Sequence, residues 1–199
     1  EGFTFSNFSV IANDTDYLPT FSFCRFSDNI YSYYSGLFNM NDDAPGSVNM
    51  DHCIFVNNMD NHETAEAGIF HSSYVNYNFD YCTFGTNGAG LFNTYAGSVN
   101  FNNSIVGISL FGNNSMGRYA SYSYIKYPQQ YQPGLLNNCI DGSIYSQAGF
   151  AGEWERIYRL APTSICIDAA HPEDMDPDGT RADIGAIYFD QDTSYAGSI

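Results

Sequence analysis

The segment Val48-Asn49-Met50-Asp51-His52-Cys53-Ile54-Phe55-Val56-Asn57-Asn58 recurs as Tyr77-Asn78-Phe79-Asp80-Tyr81-Cys82-Thr83-Phe84-Gly85-Thr86-Asn87, 29 residues on and without a gap. A further step of 29 back places Phe21, Cys24, Phe26 and Asn29 in the same columns. An earlier copy without cysteine is read at Phe3, Phe5, Phe8, Val10 and Asn13. A later, more diverged one is read at Val99, Phe101, Ser104, Val106 and Ser109, and a sixth at Leu136 and Cys139. A second column follows in three copies, as Gly36-Leu37-Phe38, Gly68-Ile69-Phe70 and Gly90-Leu91-Phe92. Units of roughly 20–30 residues cannot bury an apolar face alone, so they must stack on their neighbours.

Each unit reads as a strand, a turn at an Asn, a second strand and a loop of variable length. A propeller blade needs roughly 40 residues per repeat, and a sandwich shows no such columns. The expectation is an all-β fold, a single-stranded right-handed parallel β-helix of about seven or eight coils. Composition agrees: 20 Asn, 20 Ser and 18 Gly favour turns, while 17 Tyr and 16 Phe favour strands. A chain of 199 residues makes one domain, or two small ones at most. Residues 1–150 are expected as coils with variable loops, and 151–199 as C-terminal coils and a capping segment of the same domain.

In stacked coils, side chains of one column stand about one strand spacing (~4.8 Å) apart. Asn13, Asn29, Asn58 and Asn87 are then an amide ladder at one corner, bonded to one another and to turn backbone. Cys24, Cys53, Cys82 and Cys139 make an inward-facing stack of small apolar side chains. Parallel Cβ vectors give the wrong torsion for disulfides between rungs, and no Cys-x-x-Cys spacing points to zinc.

Six basic residues stand against 22 acidic ones, a formal charge of −16. Such a surface repels phosphate backbones and anionic lipid, which sets nucleic acid aside as a partner. No apolar run is long enough for membrane insertion.

Past residue 140 the repeat fades. Glu153 to Leu160 suits a short helix or a strand. Two stretches follow: Tyr158, Leu160, Ser164, Cys166, Ile167 and Asp168, then Asp176-Pro177-Asp178-Gly179-Thr180-Arg181-Ala182-Asp183-Ile184-Gly185-Ala186. Together they resemble the C-terminal end of secreted bacterial right-handed parallel β-helix proteins of the pectate-lyase-like fold. Those chains carry Tyr-x-Leu-x-x-x-Ser-Pro-Cys-Ile-Asp-x-Gly followed by Asp-Pro-Asp-Gly-Thr-Arg-x-Asp-Ile-Gly-Ala. Ile165 and Ala170 replace the usual Pro and Gly of the first stretch; the second matches throughout. The resemblance implies the β-helix fold and a secreted, extracellular or cell-surface setting, and says little about activity.

Candidate chemistry divides between enzyme and binding module. A lyase acting on uronates needs a basic group to take the proton. Lys126, the sole Lys, and Arg118 are its candidates, in what reads as a long Tyr-rich insertion; the alternative is solvated loop charge. A hydrolase needs two carboxylates across a cleft, for which Asp42-Asp43 and Asp14/Asp16 are available in loops. His52, His62, His71 and His171 are dispersed, with His52 at a coil edge, and no Ser/His/Asp set is spaced to form a triad.

In Asp174-Met175-Asp176-Pro177-Asp178-Gly179-Thr180-Arg181-Ala182-Asp183, acids at relative positions 1, 3 and 5 precede a Gly at 6, as in calcium loops. Calcium would be held by Asp174, Asp176, Asp178, the Thr180 carbonyl and Asp183; Gly185 stands where such loops carry Glu. The other reading is a structural turn in which Arg181 pairs with one of the acids. Sequons at Asn7, Asn13, Asn102 and Asn113 are glycosylation candidates. Tyr31, Tyr33, Tyr34, Tyr119, Tyr122, Tyr124, Tyr127 and Tyr131 suit sugar stacking or a protein interface, or else wall the helix under long loops.

Two functional classes follow. The favoured one is a secreted structural, adhesive or assembly module, self-associating or binding another extracellular protein through an uncovered helix end, and able to form filaments. The other is a carbohydrate-active enzyme, a polysaccharide lyase or glycoside hydrolase on an extracellular glycan.

Overall fold

The computed structural model describes residues 4–5, 10–12, 20–31, 36–40, 46–60, 68–72, 74–87, 90–94, 96–107, 117–132, 134–143, 148–150 and 158–191. Among them every paired strand is parallel to its neighbour, and the only helical element is a 3-10 turn at Pro128–Gln130. The protein is all-β with parallel sheets.

Three sheets carry the repeat. Sheet I runs through Thr20–Ser22, Gly46–Asp51, Val75–Asp80, Ser98–Asn102, Gly117–Ser121 and Leu136–Asn137. Sheet II has seven strands, Thr4–Phe5, Arg25–Ser27, Ile54–Val56, Thr83–Phe84, Ile105–Val106, Tyr124–Ile125 and Ile140–Asp141. Sheet III holds Val10–Ala12, Phe38–Met40, Gly68–Ser72 and Gly90–Thr94. In each sheet the spatial order is the chain order, so the chain visits I, II and III and re-enters I one strand along; past Gly90–Thr94 the described strands lie in sheets I and II.

The register carries the repeat into space. One column of sheet I runs Ser22, Asp51, Asp80, Asn102, Ser121, Asn137, so a rung takes 29, 29, 22, 19 and 16 residues in turn. The second repeat column is in register too, with Phe70 opposite both Phe38 and Phe92.

Alternation then decides the core. Phe26, Phe55 and Phe84 stack inside sheet II at centroid distances of 4.9 and 4.8 Å. Phe38, Phe70 and Phe92 stack inside sheet III at 4.8 and 5.2 Å, and Phe79 on Phe101 inside sheet I at 5.2 Å. All are essentially fully buried, and each such side chain contributes roughly 1.5–3 kcal/mol by leaving water.

Three expectations need correction. The Tyr-rich stretch is no insertion: Gly117–Ser121 and Tyr124–Ile125 form a full rung in sheets I and II. The first copy is read in the wrong register, since Phe5 pairs with Phe26 in sheet II while Val10 pairs with Phe38 in sheet III. The C-terminal part adds no further strands within 158–191. Its described residues make only the antiparallel bridges Phe150–Leu160 and Met175–Arg181. They lie instead over the outer face of sheet II, where Leu160, Cys166, Ala182 and Ile184 bury Ile105 and Tyr124. Gly185 makes that approach feasible: its φ is +117°, and a Cβ there would stand 2.8 Å from Ile105 Cδ1. Of the segment Glu153 to Leu160, residues 153–157 lie outside the described ones.

Candidate functional site: an aromatic cleft beside the corner of sheets I and II

Each passage from sheet I to sheet II turns in two residues. The first takes a left-handed conformation: Phe23, His52, Tyr81, Asn103, Tyr122 and Asn138 have φ of 54°, 49°, 47°, 49°, 47° and 51°. That conformation costs a non-glycine residue roughly 1–2 kcal/mol, and it turns one side chain outward and the next inward. The inward position is the cysteine column, buried at Cys24, Cys53 and Cys82 and continued by buried Ser104 and Ser123.

The substitution by serine shows what the column does. Cys82 Sγ lies 3.3 Å from the Asp80 carbonyl and 3.4 Å from that of Met50, one rung below. Ser104 Oγ donates to the Asn102 carbonyl at 2.6 Å and accepts from Cys82 N at 3.0 Å; Ser123 Oγ accepts from Ser104 N at 3.0 Å. The column is thus a row of small weak donors bridging rungs rather than a purely apolar stack. Cys139, at its end, is half-buried, and all five cysteines are free thiols.

The amide ladder stands at the next corner. Asn29 Nδ2 donates to Asn58 Oδ1 at 2.8 Å, and Asn58 Nδ2 to Asn87 Oδ1 at 3.0 Å. Asn58 and Asn87 also donate to the carbonyls of Phe26 and Phe55, each at 3.0 Å. Asn13 lies outside the described residues, as do Asn7, Asn113, Asp14, Asp16, Asp42, Asp43, His62, Tyr33 and Tyr34.

The outward position is what the sequence reading missed. Phe23, His52 and Tyr81 stack ring on ring, with centroids 4.7 and 4.9 Å apart and interplanar angles of 23° and 17°. The signal was the residue immediately before each cysteine, which is aromatic in three successive copies. Asp51 Oδ1 accepts from His52 Nδ1 at 2.7 Å, which fixes the ring. Asp80, one rung on, is raised by burial against the help of the Asn103 amide, with the charges of Asp51 and Asp174 adding to the rise.

The opposite wall is the C-terminal hairpin. Tyr81 Oη donates to Asp174 Oδ2 at 2.7 Å, His171 N donates to Asn103 Oδ1 at 2.9 Å, and Ala186 N donates to Thr83 Oγ1 at 2.9 Å. Between the walls lies a cleft of about 750 Å³, lined on one side by Phe23, His52 and Tyr81 and on the other by Glu173–Pro177 and Ala182–Tyr188, Ile184 excepted. Phe23, Met175 and Tyr188 are 59%, 61% and 41% exposed at its rim. Within it, burial and then the charge of Asp183 push the Asp176 carboxyl up to about 6, and burial also raises Asp183. Burial, then the hydrogen bond to Asp174, holds the Tyr81 phenol above its ordinary range.

The five residues read as calcium ligands all accept hydrogen bonds within this hairpin or against the corner column. Asp178 accepts from Thr180 N, Thr180 Oγ1 and Gln191 N at 3.0, 2.8 and 2.9 Å, bonds that lower its pKa. Asp183 accepts from Asp168 N at 2.8 Å and Phe189 N at 2.6 Å, Asp176 Oδ2 from Asp183 N at 3.0 Å, and the Thr180 carbonyl from Asp176 N at 3.0 Å. No three His, Cys, Asp or Glu side chains converge as a metal cage among the described residues. Arg181 bonds the carbonyls of Ala169 and Ala170 rather than an acid.

The remaining candidates lie elsewhere. Arg118 stands opposite buried Val99, on the interior face of the Gly117–Ser121 strand, and its Nη1 donates to the Gln130 carbonyl at 2.7 Å. Lys126 Nζ sits 5.6 Å from the centroid of its neighbour Tyr127. Neither lines the cleft. Tyr124 and Tyr131 are buried, whereas Tyr119 is exposed. Tyr122 meets the His171 ring edge-on at 4.7 Å. Asn102 is an exposed strand-end residue accepting from Ser121 Oγ at 2.6 Å, and the sequon's Ser104 is fully buried. No protein-family model matches the chain, and no curated protein or solved structure does either.

Proposed function

We propose that this chain is a right-handed parallel β-helix with the three sheets as its faces, acting as a secreted or cell-surface binding module of adhesive type. The observation that carries the binding role is the cleft in which Phe23, His52 and Tyr81 are displayed on consecutive rungs opposite the C-terminal hairpin. Its volume lies in the range of ligand sites, about 300–1,000 Å³. Large apolar side chains exposed together at one rim are the usual mark of a binding surface. The resemblance of the C-terminal segments to those of secreted bacterial β-helix proteins supports the extracellular setting.

Binding is tested with an extracellular polysaccharide panel and immobilised protein, comparing the chain with its Phe23→Ala variant. Retention of a glycan by the parent and its loss in the variant is the expected result; equal retention by both would move the binding surface elsewhere. Association of copies through the ends of the sheet stack belongs to the same proposal. Light scattering and electron microscopy should show concentration-dependent filaments, and a monodisperse monomer at high concentration contradicts that part.

The second reading is a glycoside hydrolase or polysaccharide lyase. What favours it is Asp176, a cleft carboxyl raised to about 6, as a general acid requires. Release of reducing ends or unsaturated uronates, abolished by Asp176→Asn, would establish it over the adhesive role.

A further inference from the structure

We infer that the cleft takes a cationic amino sugar, a hexosamine with its amine unacetylated and protonated, within an extracellular glycan. This deepens the proposed binding role and rests on it. Three observations select the ligand chemistry.

The first is the way the aromatic column is built. Phe23, His52 and Tyr81 stack on one another, so their inner ring faces are used within the column. Among the described residues no further ring stacks on Phe23, which is 59% exposed. Phe23 is also the most exposed of the three. A pyranose has one face of C–H groups that lies flat on such a ring, while its hydroxyls remain in water.

The second is charge. Glu173, Asp174, Asp176 and Asp183 line the cleft, and among the described residues no Lys or Arg does. Arg181, the nearest basic residue in the hairpin's sequence, is turned away onto backbone carbonyls. Asp183 spends both oxygens on backbone N–H groups. Among the described residues, Asp174 and Asp176 each engage only Oδ2, so a second oxygen on each keeps lone pairs for a donor. An ammonium supplies three donors and no acceptor, and its charge relieves the mutual repulsion of these acids.

The third is exclusion. A formal charge of −16 and an acid-lined wall disfavour uronates and sulfated sugars. Among charged glycans, the cationic kind is the one this surface attracts.

The test compares three probes of equal length by calorimetry near neutral pH, where Asp176 is ionised: a glucosamine oligomer, its N-acetylated counterpart and a galacturonate oligomer. The glucosamine oligomer should bind at least about tenfold more tightly than the N-acetylated one. Its affinity should fall with added salt, and the galacturonate should not bind. Phe23→Ala and Glu173→Gln, two exposed positions, should each weaken glucosamine binding several-fold with the circular dichroism spectrum unchanged. Equal affinity for the acetylated and free-amine oligomers overturns the amino-sugar assignment and leaves the glycan-binding role standing. Binding of no probe overturns both. Glucosamine binding untouched by both substitutions overturns the cleft as its site.

Discussion

At the level of single residues, the strongest constraint is the amide ladder. Asn58 is fully buried, its side chain accepts from Asn29 N and Nδ2, and it donates to Asn87 and the Phe26 carbonyl. Removing it strands several buried partners, each at about 1–3 kcal/mol. Asn58→Ala should therefore lower stability by about 3 kcal/mol in urea melts. The outward ladder from Asn49 through Asn78 to Asn100 is built from similar bonds in water, so Asn78→Ala should cost about 0.5 kcal/mol or less. Equal losses would remove the distinction between buried and exposed ladders. Asp176 gives a pH signature. Its folded pKa of about 6 lies above the ordinary carboxylate value, so the folded state holds the proton more tightly. Stability due to this group is greatest below the unfolded pKa and falls as pH rises from about 4 to about 6. Asp176→Asn should stabilise the protein at neutral pH by about 1 kcal/mol, allowing for partial exposure, and change little at pH 4. A variant no more stable than the parent at neutral pH would refute it. The Asn and Cys columns were legible because one residue type recurs at one spacing. The outward corner column was not, because it runs Phe, His, Tyr, Asn, Tyr, Asn, and backbone conformation rather than residue type unites those positions.

At the level of elements, the C-terminal hairpin depends on its clamp to the corner column. Tyr81→Phe deletes the bond to Asp174 and keeps the ring in the stack. Amide exchange in residues 171–185 should quicken, with global stability lower by about 1–2 kcal/mol. Unchanged exchange there would mean that apolar burial alone holds the hairpin. Calcium bears on the same element. Ligands selective for the folded state raise its melting temperature. Because the hairpin carboxylates already accept from protein N–H and O–H groups, calcium added after chelation should leave the melting curve in place; a clear rise would restore the ion. The acid spacing resembled a calcium loop because a tight turn and a cation demand the same thing, carboxylate oxygens brought close to backbone. The one sequence signal that separates the two is Gly185, which stands where such loops carry Glu. The Gly117–Ile125 rung was hidden for a different reason. Arg118 and Ala120 stand where earlier rungs carry Val99 and Phe101, and the rung has shortened to 19 and then 16 residues. Arg118, with Nε unbonded beside the buried Tyr131, puts a charge on the interior face near the end of the described rungs, as edge-protecting residues do.

At the level of the whole molecule, the account is of one stack of rungs whose loops shorten along the chain while two sheets persist. The 29-residue repeat was enough to read that stacking, because a gapless recurrence places like residues at like positions. The placement of the last 34 described residues was beyond it, since that segment packs sideways on sheet II through contacts with no period. The proposed handed coil and the proposed role of the cleft both rest on the stack, so the stack is what requires direct measurement. Native sulfur anomalous diffraction from crystals of the protein locates the sulfurs of its five Cys and five Met without reference to any assumed fold, and the traced chain assigns them. The account predicts Cys24, Cys53 and Cys82 sulfurs in a row, with neighbours about one strand spacing (~4.8 Å) apart. Sulfurs of these three residues scattered at unrelated distances would contradict it.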